Sequence, residues 1–130
     1  MEASQIEIVE EFDRAKKYLE GREDIKAVSN LETLAERAPK NFEVWLYLGI
    51  AKRRIEEYDE AIKCFKKVTE LEKSNEEAWG LLTVTLVDQG KIEEAKKTIK
   101  EAARLNPSDE HILFLRDNLI RTYTKFGPFF

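Results

Sequence analysis

The side chains able to do chemistry in this chain are few and do not converge. His111 is the only histidine and follows Asp109 and Glu110. A metal site needs further imidazole or thiolate ligands at a fixed spacing, and no paired-histidine pattern is present. At a helix start the ring is expected to be solvated. Cys64 is the only cysteine, which rules out an internal disulfide framework and points to a reducing compartment. Directly before the apolar Phe65, it reads as a small, partly buried side chain rather than a reactive thiol. There is no glycine-rich phosphate loop and no nucleophile motif, so no catalytic residue, metal or cofactor is expected. Lysines do align, Lys63 with Lys97 and Lys66 with Lys100, each pair 34 positions apart. Glu60, Glu70, Glu93, Glu94 and Glu101 interleave with them, the pattern of a solvated helix face rather than a nucleic-acid or lipid patch.

That spacing of 34 runs through the apolar residues as well. Trp45 recurs as Trp79, Leu48 as Leu82, Ala61 as Ala95, and Phe65 as Ile99, with Gly49 answered by Thr83 and Lys73 by Pro107. Trp45, Leu48, Gly49 and Lys52 stand at i, i+3, i+4 and i+7, on one helical face. Small residues there, Gly49 and Thr83, let a second helix approach closely, and that helix offers Ala61 and Ala95. The two tryptophans are expected to be largely buried against it. The repeat length and signature resemble the tetratricopeptide repeat, a helix-turn-helix unit. Departures are Lys52 and Leu86 at the place of a tyrosine, Thr83 for glycine, Ile99 for phenylalanine and Lys73 for proline; none breaks a helix.

In chain order, Ile6, Val9, Phe12, Ala15 and Leu19 share one face over residues 4–20, with a stop near Gly21. A helix over 23–37 carries Ile25, Ala27, Leu31 and Leu34 and stops before Pro39. Asn41, Asn75 and Asp109 recur just before helical patterns as N-caps, with a Ser74/Glu77 capping box as the alternative at the second start. Helices follow over 42–55, 58–72, 76–89 and 91–105. Leu81 to Val87 is rich in β-branched residues and alone reads as a buried strand, but the repeat register places it in a helix. The last segment, 109–125, is apolar on one stripe and polar at Arg116 and Asp117. Gly127 and Pro128 end it, and Phe126, Phe129 and Phe130 are expected against its own flank by Leu119 and Tyr123.

The expected fold is all-α: a tetratricopeptide-like α-solenoid of three helix-turn-helix hairpins plus a C-terminal capping helix, seven helices in all. It reads as one domain over 1–130, divided into a degenerate repeat (4–39), two repeats (42–75 and 76–109), the capping helix (110–125) and a Phe-rich tail (126–130). The resemblance implies that the first helix of each hairpin lines a concave groove. The residues it assigns there include Phe12 and Lys16; Leu46, Tyr47, Ile50, Arg53 and Arg54; Leu81, Val84 and Val87; and Phe114, Leu115 and Asn118. It also implies that Phe12, Tyr47 and Leu81 stand where the family's carboxylate clamp carries an amide or a cation, which argues against a chaperone-tail adaptor.

Composition agrees with such a module. The 130 residues are 42% hydrophobic and 37% charged with a net charge of -4, which does not favour general attraction to nucleic acid. The acidic start MEASQIEIVEEF is unlike a secretory signal, and no apolar run is long enough for a membrane span. A cytoplasmic protein is expected. Only Gln5 and Gln89 are glutamines while Glu and Lys dominate, a bias seen in thermophiles. The expected function is non-enzymatic: a protein-interaction module holding an amphipathic helix or apolar peptide in the groove, without nucleic-acid or membrane partners. The alternative is a structural unit that self-assembles into a homo-oligomer through the groove or the tail.

Overall fold

The computed structural model describes residues 2–122, with side chains from Gln5 onward; the expected tail over 126–130, Tyr123 and the end of the capping segment lie outside the described residues. Among the described residues there are seven helices and no strand: α1 (Glu2–Glu20), α2 (Asp24–Arg37), α3 (Phe42–Arg54), α4 (Tyr58–Leu71), α5 (Glu76–Asp88), α6 (Ile92–Leu105) and α7 (Glu110–Ile120). The chain divides into two compact units, Met1–Leu71 with α1 to α4 and Glu72–Phe130 with α5 to α7.

Helix starts follow from capping. The Asn41 carboxamide oxygen accepts from the backbone N–H of Glu43 at 3.0 Å and of Val44 at 3.3 Å. Asn75 accepts from Ala78 N–H at 2.9 Å, and Asp109 from Ile112 N–H at 2.9 Å. Each satisfies donors that a helix N-terminus otherwise leaves without a partner. The cap of α5 is therefore Asn75 itself, not Ser74.

The turn inside each hairpin is equally periodic. Arg22, Glu56 and Gly90 have φ of 61°, 65° and 74°, the left-handed region. One residue on, the N–H of Glu23, Glu57 and Lys91 reaches back to the carbonyl of Tyr18, Lys52 and Leu86 at 2.8, 2.9 and 2.8 Å. This is the Schellman closure of a helix C-terminus. α1 ends at Glu20, beside the stop expected near Gly21, and the left-handed residue of the closure is Arg22, in register with Glu56 and Gly90. Two side-chain-bearing residues hold a conformation in which a Cβ crowds the following carbonyl. Arg22 and Glu56 are both exposed, so their side chains contribute little packing there. Arg22→Gly and Glu56→Gly are each expected to raise the unfolding free energy by about 0.5–1 kcal/mol in denaturant titration, and a loss of stability in both would contradict the turn geometry.

In the first unit, α2 packs against both α1 and α3, and α3 against α4. The core runs from Phe12, Ala15 and Leu19 through Ala27, Leu31 and Leu34 to Val44, Leu48, Ala51 and Cys64. Closest approach falls at Gly49: a Cβ built there would lie 2.5 Å from Phe65 Cε1. Ala61 is fully buried as expected, but it is the Phe65 ring that occupies the space glycine leaves. In the second unit α5, α6 and α7 contact one another pairwise around fully buried Ala78, Leu86, Ala95, Ile99, Ala102 and Ile112. The β-branched run stays helical, and its buried hydroxyls are satisfied within the helix: Thr83 Oγ1 donates to Trp79 O at 2.8 Å and Thr85 Oγ1 to Leu81 O at 2.6 Å.

Trp45 and Trp79 are partly buried, and Trp45 packs against the core of the first unit. Each indole Nε1 donates to a carbonyl six residues back, Pro39 O and Lys73 O respectively, both at 2.7 Å. An indole N–H needs an acceptor, and the nearest one lies in the turn between hairpins, at the surface.

Candidate interaction surfaces

On the first unit, the groove residues assigned by resemblance meet as an aromatic cluster. Phe12 of α1 and Tyr47 of α3 stack edge to face with ring centroids 5.4 Å apart. Lys16 Nζ lies 4.5 Å from the Phe12 ring centroid and 5.9 Å from that of Tyr47. Such contacts favour a cation over the negative ring faces. Phe12 and Leu46 are only 8% and 6% exposed and serve the core. Tyr47, Ile50 and Arg53 are half-buried. Arg54 is drawn away from that surface, since its Nη1 donates to Leu19 O at 2.9 Å and to Asp24 Oδ1 at 3.2 Å, tying the end of α3 to the α1–α2 turn. A cation at a helix C-terminal carbonyl complements the helix dipole.

On the second unit, α5 and α7 enclose a crevice of about 350 Å³. Val84, Val87, Leu115 and Asn118 line it together with Leu119. The helices come near one another at buried Gly80, where an added Cβ would sit 3.6 Å from Leu115 Cδ1 and 3.7 Å from His111 Nε2. Leu81 is half-buried, and Phe114 is 64% exposed on α7. Leu119 and Thr122, which also line the crevice, do not stand out as groove residues in the sequence. The i+4 spacing of Leu119 from Leu115 is the signal that could have found the first of them.

The isolated chemical candidates stay apart. His111 is exposed, beside Gly80. Cys64 is buried, and that burial pushes its thiol up to about 12, far from the thiolate a nucleophile requires. Lys52, at the place of the pattern's tyrosine, is 8% exposed and places Nζ 2.9 Å from both Glu32 Oε2 and Glu57 Oε1. Burial works against its charge, but hydrogen bonds to Glu57 and Glu32 and their charges prevail and raise its pKa. The ammonium joins α2 to the α3–α4 turn. Among the described residues no three metal-ligating side chains cluster. No described helix is long and apolar enough to cross a membrane.

Helical hairpins with a periodic Schellman turn, recurring asparagine or aspartate caps and a tryptophan tied to each preceding turn define an all-α repeat protein. A sequence model of the tetratricopeptide repeat matches residues 25–83 and again 56–119. The chain belongs to the tetratricopeptide repeat family, whose domains are protein–protein interaction modules. Human cilia- and flagella-associated protein 70 (Homo sapiens) is 33% identical over 96 residues, covering 74% of this chain but only 8% of that protein. This chain therefore spans less than a tenth of the curated relative it matches. Among solved structures, the first tetratricopeptide domain of Spaghetti (RPAP3), bound to an HSP90 peptide, superposes with a TM-score of 0.77 at 16% identity. That match covers 88% of this chain and 91% of that one, and it bears on fold alone. A MamA variant matches with a TM-score of 0.71 at 27% identity, over 76% of this chain and 72% of its own. The α-solenoid class expected from the repeat is the class of these structures.

Proposed function

We propose that this chain binds an apolar peptide segment or the apolar face of a partner helix through the surface that α5 and α7 present. The observation that carries this reading is the α5–α7 crevice, with apolar Val84, Val87, Leu115 and Leu119 on its walls and Thr83, Asp88, Asn118 and Thr122 as its polar lining. A recess with apolar walls and a few polar groups is the usual form of a site for an anchoring side chain. On the first unit the corresponding helices present Lys16 above an aromatic pair already packed on itself, so specificity there rests on charge and shape at the rim.

The test is selection from a displayed peptide library, followed by affinity measurement on variants. Val87→Asp places a charge in the crevice from a half-buried position and is expected to weaken the selected peptide at least about tenfold, since an unpaired charge facing an apolar anchor costs more than about 1.4 kcal/mol. Its helical circular dichroism should be unchanged. The chaperone peptide SRMEEVD should not bind, because the family resemblance implies that Phe12, Tyr47 and Leu81 stand where a carboxylate clamp carries an amide or a cation. Equal affinity of wild type and Val87→Asp would remove the crevice from the site. Exposed Phe114 favours a second reading, self-association through α7. Sedimentation across a concentration series separates the two, since Phe114→Ser should abolish a dimer but leave peptide affinity intact.

A further inference from the structure

The two sides of α3 do different things. Tyr47, Ile50 and Arg54 belong to the surface assigned to the groove, whereas Trp45, Leu48 and Lys52 fall on the opposite side and floor a separate cleft of about 760 Å³. This cleft lies between α2 and α4, which supply its walls. Its floor residues stand at i, i+3 and i+7, a stripe about 10 Å long at about 1.5 Å per residue. Lys52, bonded to Glu32 and Glu57, closes one end. At the other end Trp45 is fixed by its bond to Pro39 O, and the partly buried side chain lines the cleft with Leu48 and Ala35.

The walls carry opposite charge. The α2 wall shows Glu32 and Glu36, and the α4 wall shows Lys63 and Lys67 beyond Glu60. Glu60 is engaged by Lys63 at 3.4 Å. Glu36 and Lys67, flanking the Trp45 end on opposite walls, make no ion pair among the described residues.

From this geometry we propose a second docking site, for a helix of a partner protein that seats apolar side chains on Trp45 and Leu48, turns a cationic flank toward Glu36 and an anionic flank toward Lys67. A groove bounded by two helices and floored by a third suits a helix as occupant. A fixed tryptophan is the kind of anchor that dominates such contacts. Charge of opposite sign on the two walls selects a helix of mixed flanks and sets its direction, because turning the helix end for end exchanges its flanks. This site does not depend on the α5–α7 crevice.

The probes are three fluorescein-labelled helical peptides with the same Leu/Trp face, flanked by Arg on one side and Glu on the other, by Arg on both, or by Glu on both. Binding is read by anisotropy. Wild type should prefer the mixed peptide by about two- to fivefold, the range for one exposed charge contact. Glu36→Lys should transfer the preference to the all-Glu peptide, and Lys67→Glu to the all-Arg peptide. Val87→Asp should change none of these affinities. The proposal is overturned if no peptide binds, if the order of preference is the same in wild type and both wall variants, or if Val87→Asp abolishes binding. It is equally overturned if the wall variants alter the sedimentation of the free protein, which would identify a second copy as the occupant.

Discussion

Gly49→Thr should lower the unfolding free energy by about 1–3 kcal/mol, the usual cost of overpacking a core. A Cβ at this position would lie 2.5, 2.8 and 3.0 Å from three carbons of the Phe65 ring, and that residue is fully buried. Replacing a helical glycine would by itself favour the helix by about 0.5 kcal/mol, too little to offset the clash. The second unit shows how the conflict resolves. Thirty-four residues on, Thr83 and Ile99 stand at the same two places, 2% and 0% exposed: a larger residue on the first helix meets a smaller one on the second. Phe65→Ile alone should also destabilise, by opening a cavity. The double variant should then be more stable than the sum of the two losses, with a coupling of about 0.5–3 kcal/mol in a denaturant-based mutant cycle. Strict additivity would mean that the two residues do not share one packing volume.

Ile112→Ala is expected to cost about 2–5 kcal/mol in the unfolding of the α5–α7 unit. Ile112 is fully buried, on a helix of only 11 residues whose other buried residue is Leu119. A helix so short has little stability of its own and depends on tertiary burial. The loss should therefore be local: amide exchange of α7 should accelerate more than that of α6. Because α7 forms one wall of the crevice, peptide affinity should fall with it. Even loss of protection across α5, α6 and α7 would show instead that the unit opens as a whole.

Much of this fold was legible in the residues. Apolar periodicity and the 34-residue register placed α1 to α6 and the start of α7 to within one or two residues, and the register correctly overrode the strand-like run of Leu81 to Val87. Asn41, Asn75 and Asp109 were readable as caps because capping is a local interaction between a side chain and the next turn. Properties set by distant neighbours were not. Gly21 is the better left-handed residue in isolation, yet Arg22 takes that conformation because the turn must close in register. The indole hydrogen bonds of the tryptophans depend on carbonyls in turns whose path a helical pattern does not specify. Inner-face position told that Phe12 and Arg54 could be near one surface; it could not tell that Phe12 would stack on Tyr47, or that Arg54 would reach Leu19 O and Asp24. The α2–α4 cleft was hidden for the same reason, since Glu36 and Lys67 gain meaning only when two helices stand on either side of Trp45.

The most direct test of the claim that this repeat holds an apolar segment between α5 and α7 is a backbone amide spectrum of the protein recorded with and without the library-selected peptide. Chemical-shift changes should concentrate at Val84, Val87, Leu115 and Asn118 and grow together with peptide concentration. Changes confined to Trp45, Glu36 and Lys67, or no changes at a concentration that saturates binding in solution, would contradict it.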